Sequence, residues 1–158
     1  MVRVIEAIEG KVLTRNTVQG LRVSDHNILP DPDRPVMKTA VIERHGLRGS
    51  MAVGFTSGFG FKEGAISSTV AHDSHNLLVL GLDERDMAVA ANENARMGGG
   101  IVTVVNGEVK ARVELQIAGL MSPEPAEEVA EKLSKTYELW EKMGCDWVSP
   151  FMTMSLLS

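Results

Sequence analysis

Cysteine, tyrosine and long apolar runs are all scarce in this sequence. The single cysteine, Cys145, excludes an internal disulfide and any multi-thiolate metal cage, and a reducing cytoplasm fits that usage. No apolar stretch approaches the roughly 20 residues that a membrane helix requires. The opening MVRVIEAIEGK lacks the charged-then-apolar build of a signal peptide. Lysine and arginine occur only in short, interrupted runs, and the net charge is −5. A polybasic arm and the clustered basic footprint of a nucleic-acid surface are therefore both missing. The reading is no membrane and no nucleic acid as partners. Internal repeats and low-complexity tracts are absent as well.

What is present is ordinary globular composition, 44% apolar and 23% charged over 158 residues, enough for one domain with a real core. The first 29 residues alternate in β style, with a hairpin expected around Glu9-Gly10. PDPDRP, residues 30–35, reads as a proline-fixed surface connection, leaving 36–158 as the main body. KTAVIERHG (38–46), AISSTVA (65–71) and NLLVLG (76–81) read as strands, and glycines recur between 47 and 64. A helix is expected over 83–97, capped by Asp83 with a stripe of Met87, Ala90, Ala91 and Ala95. IVTVV, Asn106-Gly107 and EVKARVELQ form a hairpin signal, since a type I′ turn needs two residues with positive φ. A second helix is expected from Ser122, with Pro123 at its first position, a stripe of Val129, Leu133, Thr136 or Tyr137 and Trp140, and an end at Gly144. The fold class is α+β: a mixed, mostly antiparallel sheet with two main helices packed on it.

One run concentrates polar chemistry: VAHDSHN, residues 70–76. His72 and His75 are three apart, which would put them on one face of a helix, but the flanking runs are β-prone. On a continuous strand they would face opposite sides. Only a turn brings both rings together. Asp73, Ser74 and Asn76 are turn formers that bond nearby backbone amides. A structural hairpin loop and a polar contribution to a binding or catalytic pocket both satisfy these residues, whereas a self-sufficient metal site does not. GFTSGFGFKEG (54–64) lacks the full dinucleotide fingerprint, because its next glycine falls one place late. It reads first as turns and close backbone approach, and second as a loop over a ligand with Phe59 or Phe61 as the apolar contact. Glu43, Arg44 and His45 read as a solvated turn. Cys145 reads as a packed thiol, and His26 lies in a polar loop without signal.

The runs IERHG, GFGFKEGAISSTVAHDSHNLLVLG, MGGGIVTVVNGEV, LQIAGLMSPEPAEEVAEKL and PFMTMSLLS together resemble, in order and over almost the whole chain, the C-terminal domain of adenine deaminases. That resemblance implies hydrolysis of adenine to hypoxanthine and ammonia, a place in adenine catabolism and purine salvage, and membership of the amidohydrolase superfamily. In that superfamily divalent manganese or iron sits in a barrel and supplies hydroxide at neutral pH. The family's His-x-His is absent here, and 158 residues cannot build a barrel of about 250. The zinc-deaminase pattern H-x-E with P-C-x-x-C is absent too.

The resemblance therefore implies a domain without the catalytic barrel, inactive alone. It needs no cofactor of its own, with manganese or iron implied for the full-length protein. The apolar end, FMTMSLLS, reads as a truncation. Expected partners are the N-terminal metal-binding barrel, adenine as substrate of the complete enzyme, and further copies in a homo-oligomer. Candidate catalytic residues are His72, Asp73 and His75; candidate substrate contacts are Ser67, Ser68, Ser74, Asn76, Gly58, Phe59 and Gly60. No metal ligand is assigned. The competing expectation is a structural or oligomerisation domain using Met152, Met154, Leu156 and Leu157, or a small-molecule-binding module.

Overall fold

The computed structural model describes residues 1–25, 27–29, 34, 36–46 and 48–157. The proline-rich connection at 30–35, apart from Arg34, and His26 lie outside the described residues. The strands are β1 (Val2–Glu6), β2 (Arg15–Gln19), β3 (Val23–Ser24), β4 (Asn27–Ile28), β5 (Val36–Ile42), β6 (Met51–Ser57), β7 (Ala65–Ser68), β8 (Leu77–Gly81), β9 (Gly100–Val105) and β10 (Glu108–Glu114). The helices are α1 (Glu84–Met97), α2 (Ala126–Lys142) and the short α3 (Pro150–Met154).

Eight strands form one open sheet in the order β10-β9-β7-β8-β5-β6-β1-β2, while β3 and β4 pair separately. Every neighbour in the large sheet is antiparallel except β1 beside β6. The architecture is the mixed, mostly antiparallel α+β arrangement expected from the sequence, and the sheet does not close into a barrel.

The central strands β7, β8 and β9 are buried along their whole length, because each face has its own cover. Alternation sends Ala65, Val79, Val102 and Val104 to one face, against Met87, Ala90 and Met97 of α1. It sends Ile66, Leu78, Leu80 and Ile101 to the other, where Phe59, Phe61, Trp140, Met143 and Met154 fill the main core. At roughly 1.5–3 kcal/mol per fully buried large apolar side chain, this two-sided burial is the main stabilising term.

The helix α1 begins where Asp83 caps it, accepting from the amides of Arg85 and Asp86 at 2.9 and 3.0 Å. The Asn106-Gly107 turn has φ +55° and +79° as its hairpin requires, and the buried Asp86 carboxylate accepts both turn amides. Two expectations shift. The helix α2 starts at Ala126, not Ser122, because Pro125 excludes Glu124 from helical geometry and Ser122 Oγ accepts the Glu124 amide in a local turn at 3.2 Å. The glycine-rich stretch contains a seven-residue strand, β6. No helix among the described residues is long and apolar enough to cross a membrane.

Candidate functional site

The polar run lies in the connection between β7 and β8, which pair antiparallel from Ala65↔Gly81 to Ser68↔Leu78. The strand register defines which loops share this end of the sheet. Ile42 pairs with both Leu77 and Met51, so the described residues between β5 and β6 (43–46 and 48–50) lie here. Ser68 pairs with Ile101, and Glu114 with Gly100, so the segments around Gly99 and after β10 lie here too.

Each residue of the connection has a definable anchor. Thr69 is buried; its hydroxyl donates to the Gly119 carbonyl at 2.6 Å and accepts the Gly100 amide at 2.8 Å. The His72 amide donates to the carbonyl of Ser155, just past α3, at 2.7 Å. The His75 amide closes back on the Ala71 carbonyl at 2.6 Å, and the Asn76 amide reaches Ser74 Oγ at 3.2 Å. The His72–Asp73 peptide bond is cis. This folding brings the two imidazoles edge to face with centroids 5.8 Å apart, the turn geometry that the three-residue spacing demanded. Asp73 and Ser74 are exposed, while His72, His75 and Asn76 are half-buried.

Two polar atoms of the turn, His75 Nδ1 and Asn76 Oδ1, are shielded from solvent and make no hydrogen bond. Leaving such an atom unmatched costs about 1–3 kcal/mol. The charged triplet is not merely a solvated turn. Arg44 donates from Nε to the His75 carbonyl at 2.5 Å and from a terminal nitrogen to the Ala118 carbonyl at 2.7 Å. His45 Nε2 pairs with the Ser74 carbonyl at 2.9 Å. Glu43 accepts the Arg48 and Gly49 amides, closing its own loop.

Other candidates stand elsewhere. Ser67 faces α1, donating to the Ala90 carbonyl and accepting from Asn94 Nδ2; Ser68 lies on the opposite face and bonds locally to Val70. Gly58, Phe59 and Gly60 follow β6 at the far end of the sheet, since Val36 pairs with Ser57 while Ile42 pairs with Met51. Phe59 is 1% exposed and stacks on Trp147 at 4.8 Å. A Cβ at Gly58 would stand 2.2 Å from the Ala7 carbonyl oxygen. The structure does not bring this run to the histidine turn. Of the terminal apolar residues, Met154 is in the main core and Met152 is exposed. The sequence reading missed Thr69, Gly119 and Ser155, and took Arg44 for part of a solvated turn. The only local signal for Arg44 was its position just beyond β5.

Among the described residues no group of three or more His, Cys, Asp or Glu side chains could hold a metal ion. The fold and site thus define an α+β domain that gathers loops around a histidine-bearing turn and assembles no ligand set of its own within those residues. Residues 11–158 match the family model of the adenine deaminase C-terminal domain, and the chain belongs to that family. It is similar to the adenine deaminase of Moorella thermoacetica, 52% identical over 157 residues that make up 99% of this chain and 26% of that protein. The Clostridium botulinum (strain Langeland) adenine deaminase is 50% identical over 155 residues, 98% of this chain and 26% of its own. That of Brucella melitensis is 46% identical over 156 residues, 99% and 27%. The chain thus spans about a quarter of the length of these relatives.

Proposed function

We propose that this chain is the C-terminal domain of an adenine deaminase, residues 1–158 forming one unit, and that its 69–76 connection serves the deamination site from outside the catalytic barrel. The reaction is hydrolysis of adenine to hypoxanthine and ammonia, in purine salvage and adenine catabolism. Family membership and the names of the relatives support the activity. The observation that carries the role of the turn is the pairing of His72 and His75, 5.8 Å apart, beside the exposed Asp73 and Ser74.

The described residues of this chain do not fit a bound metal ion. The family resemblance is what assigns manganese or iron to an N-terminal barrel, and no step is derived through it here. What this chain contributes is polar contact and exclusion of water. In this reading the half-buried His72 imidazole and the exposed Asp73 carboxylate hydrogen-bond a purine edge or hold a proton on its way to the leaving amine. His75 Nδ1 and Asn76 Oδ1 retain unused hydrogen-bonding capacity for water or for a group brought by the docked barrel. A cytoplasmic location accords with the lone cysteine.

A second reading, a structural or oligomerisation domain, is favoured by one observation. Met51 and Val53 on β6 are each 63% exposed and line an apolar groove of about 300 Å³ with Ala40, Ile42, Met87 and Ala91. The test is ammonia release from adenine in the presence of manganese or iron. The full-length protein carrying this domain is expected to turn over, and the 158-residue chain alone is expected to release none. Ammonia traceable to the isolated chain would overturn the assignment of catalysis to the barrel.

A further inference from the structure

We propose that Arg44 is the positioning residue of this site: its guanidinium ties the 69–76 connection to the 117–121 loop and so fixes where His72 and His75 stand. The functional half of this inference rests on the deaminase reading; the structural half rests on geometry alone.

Three observations converge. The first is the pair of hydrogen bonds, Nε to the His75 carbonyl and a terminal nitrogen to the Ala118 carbonyl, which join loops that share no strand pairing. A guanidinium presents several donors in one rigid plane and can hold two carbonyls at once, which a lysine ammonium does not reproduce. The second concerns the backbone. Among the described residues four non-glycine residues have positive φ: Asp25, His75, Asn106 and Ala118. Asn106 belongs to the β9–β10 hairpin turn. His75 at +50° and Ala118 at +58° are the two whose carbonyls Arg44 holds. Positive φ is uncommon for residues with a side chain, and Arg44 holds the carbonyls of two such residues.

The third observation is the space left for the guanidinium. A Cβ on Gly119 would come within 2.7–2.9 Å of the Arg44 guanidinium atoms, and Gly119 itself has φ +73°. The loop is also a firm anchor. Ile117 and Met121 exchange two backbone hydrogen bonds at 2.9 and 3.1 Å, and Thr69 holds the Gly119 carbonyl against β9 through the Gly100 amide. Arg44 therefore braces a turn against a loop already fixed to the sheet.

The experiment has two arms. In the 158-residue chain, hydrogen exchange followed by mass spectrometry compares wild type with Arg44→Ala and Arg44→Lys. Exchange is expected to speed up at least tenfold in both 70–77 and 115–121, with β8 and β9 unchanged. Unchanged protection in the two loops overturns the structural half. In the full-length enzyme, Arg44→Ala is expected to lower kcat/KM for adenine by roughly 10- to 100-fold, the scale of a small misplacement of reacting groups. Millimolar guanidinium is expected to restore part of it, and Arg44→Lys is not. Should Arg44→Ala fail to fold, Arg44→Gln, which keeps the stem and one amide, is read in the same way. Full activity of the Arg44 variant alongside an impaired His72→Ala/His75→Ala variant overturns the functional half alone. If the double histidine variant is fully active too, that half falls with the reading beneath it, and the exchange arm still decides the structural half.

Discussion

Trp140 and Thr103 illustrate how single partners satisfy the polar atoms buried in this core. The indole N–H donates to Thr103 Oγ1 at 2.8 Å where both residues are almost wholly enclosed. Thr103→Val keeps the volume and removes the acceptor, so unfolding in urea is expected to cost about 1–3 kcal/mol less than in wild type. An unchanged midpoint would mean that the indole finds another partner. Cys145 behaves differently. Burial pushes its thiol up to about 11, with the charges of Asp146 and Glu9 adding to the rise and a backbone hydrogen bond near Trp147 opposing it. At pH 8 a thiol reagent is expected to react slowly with the native chain and rapidly once urea unfolds it. Because the folded value lies above the unfolded one, the native state holds this proton more tightly. Its contribution to stability is complete below the unfolded value and is lost as pH rises toward 11. Fast stoichiometric labelling of the native chain would contradict the burial.

At the scale of elements, α1 was the most legible part of the sequence, since its cap and terminating glycine agree, although its buried stripe runs through Asp86, Ala90, Asn94 and Met97 and the expected Ala95 is exposed. Asp83→Ala removes the acceptor for two first-turn amides, and a loss of about 1 kcal/mol in unfolding free energy is expected. The hairpin at Asn106-Gly107 was equally plain, because its turn chemistry admits few alternatives. The start of α2 was not, since Ser122-Pro123 imitates a helix start and the second proline two residues later decides the matter. The strand β6 was hidden for another reason. Its glycine-spotted run MAVGFTS carries no clean alternation, and its apolar Met51 and Val53 face outward. The turn at 70–76 was recognisable by composition. Its brace was not, because the carbonyls that Arg44 holds lie 31 and 74 residues away along the chain. Periodicity cannot report contacts at such separations. Nor could spacing reveal that Gly58 to Gly60 and His72 to Asn76 occupy opposite ends of one sheet, which only the register defines.

For the molecule as a whole, the sheet keeps its central strands covered on both faces and collects loops at one end. The 117–121 loop, whose Ile117 and Met121 are exposed, adjoins the histidine turn through Arg44. In the proposed role this apolar rim beside a polar turn is the surface that the catalytic barrel covers; the chain spans about a quarter of its relatives. In the proposed function the turn at this end works in adenine deamination. Its most direct test is the kcat/KM for adenine of the full-length enzyme carrying His72→Ala and His75→Ala, with thermal unfolding recorded on the same samples. A fall of roughly 100-fold or more with the unfolding midpoint retained is expected; wild-type kcat/KM in a folded double variant would contradict the proposed role of the turn.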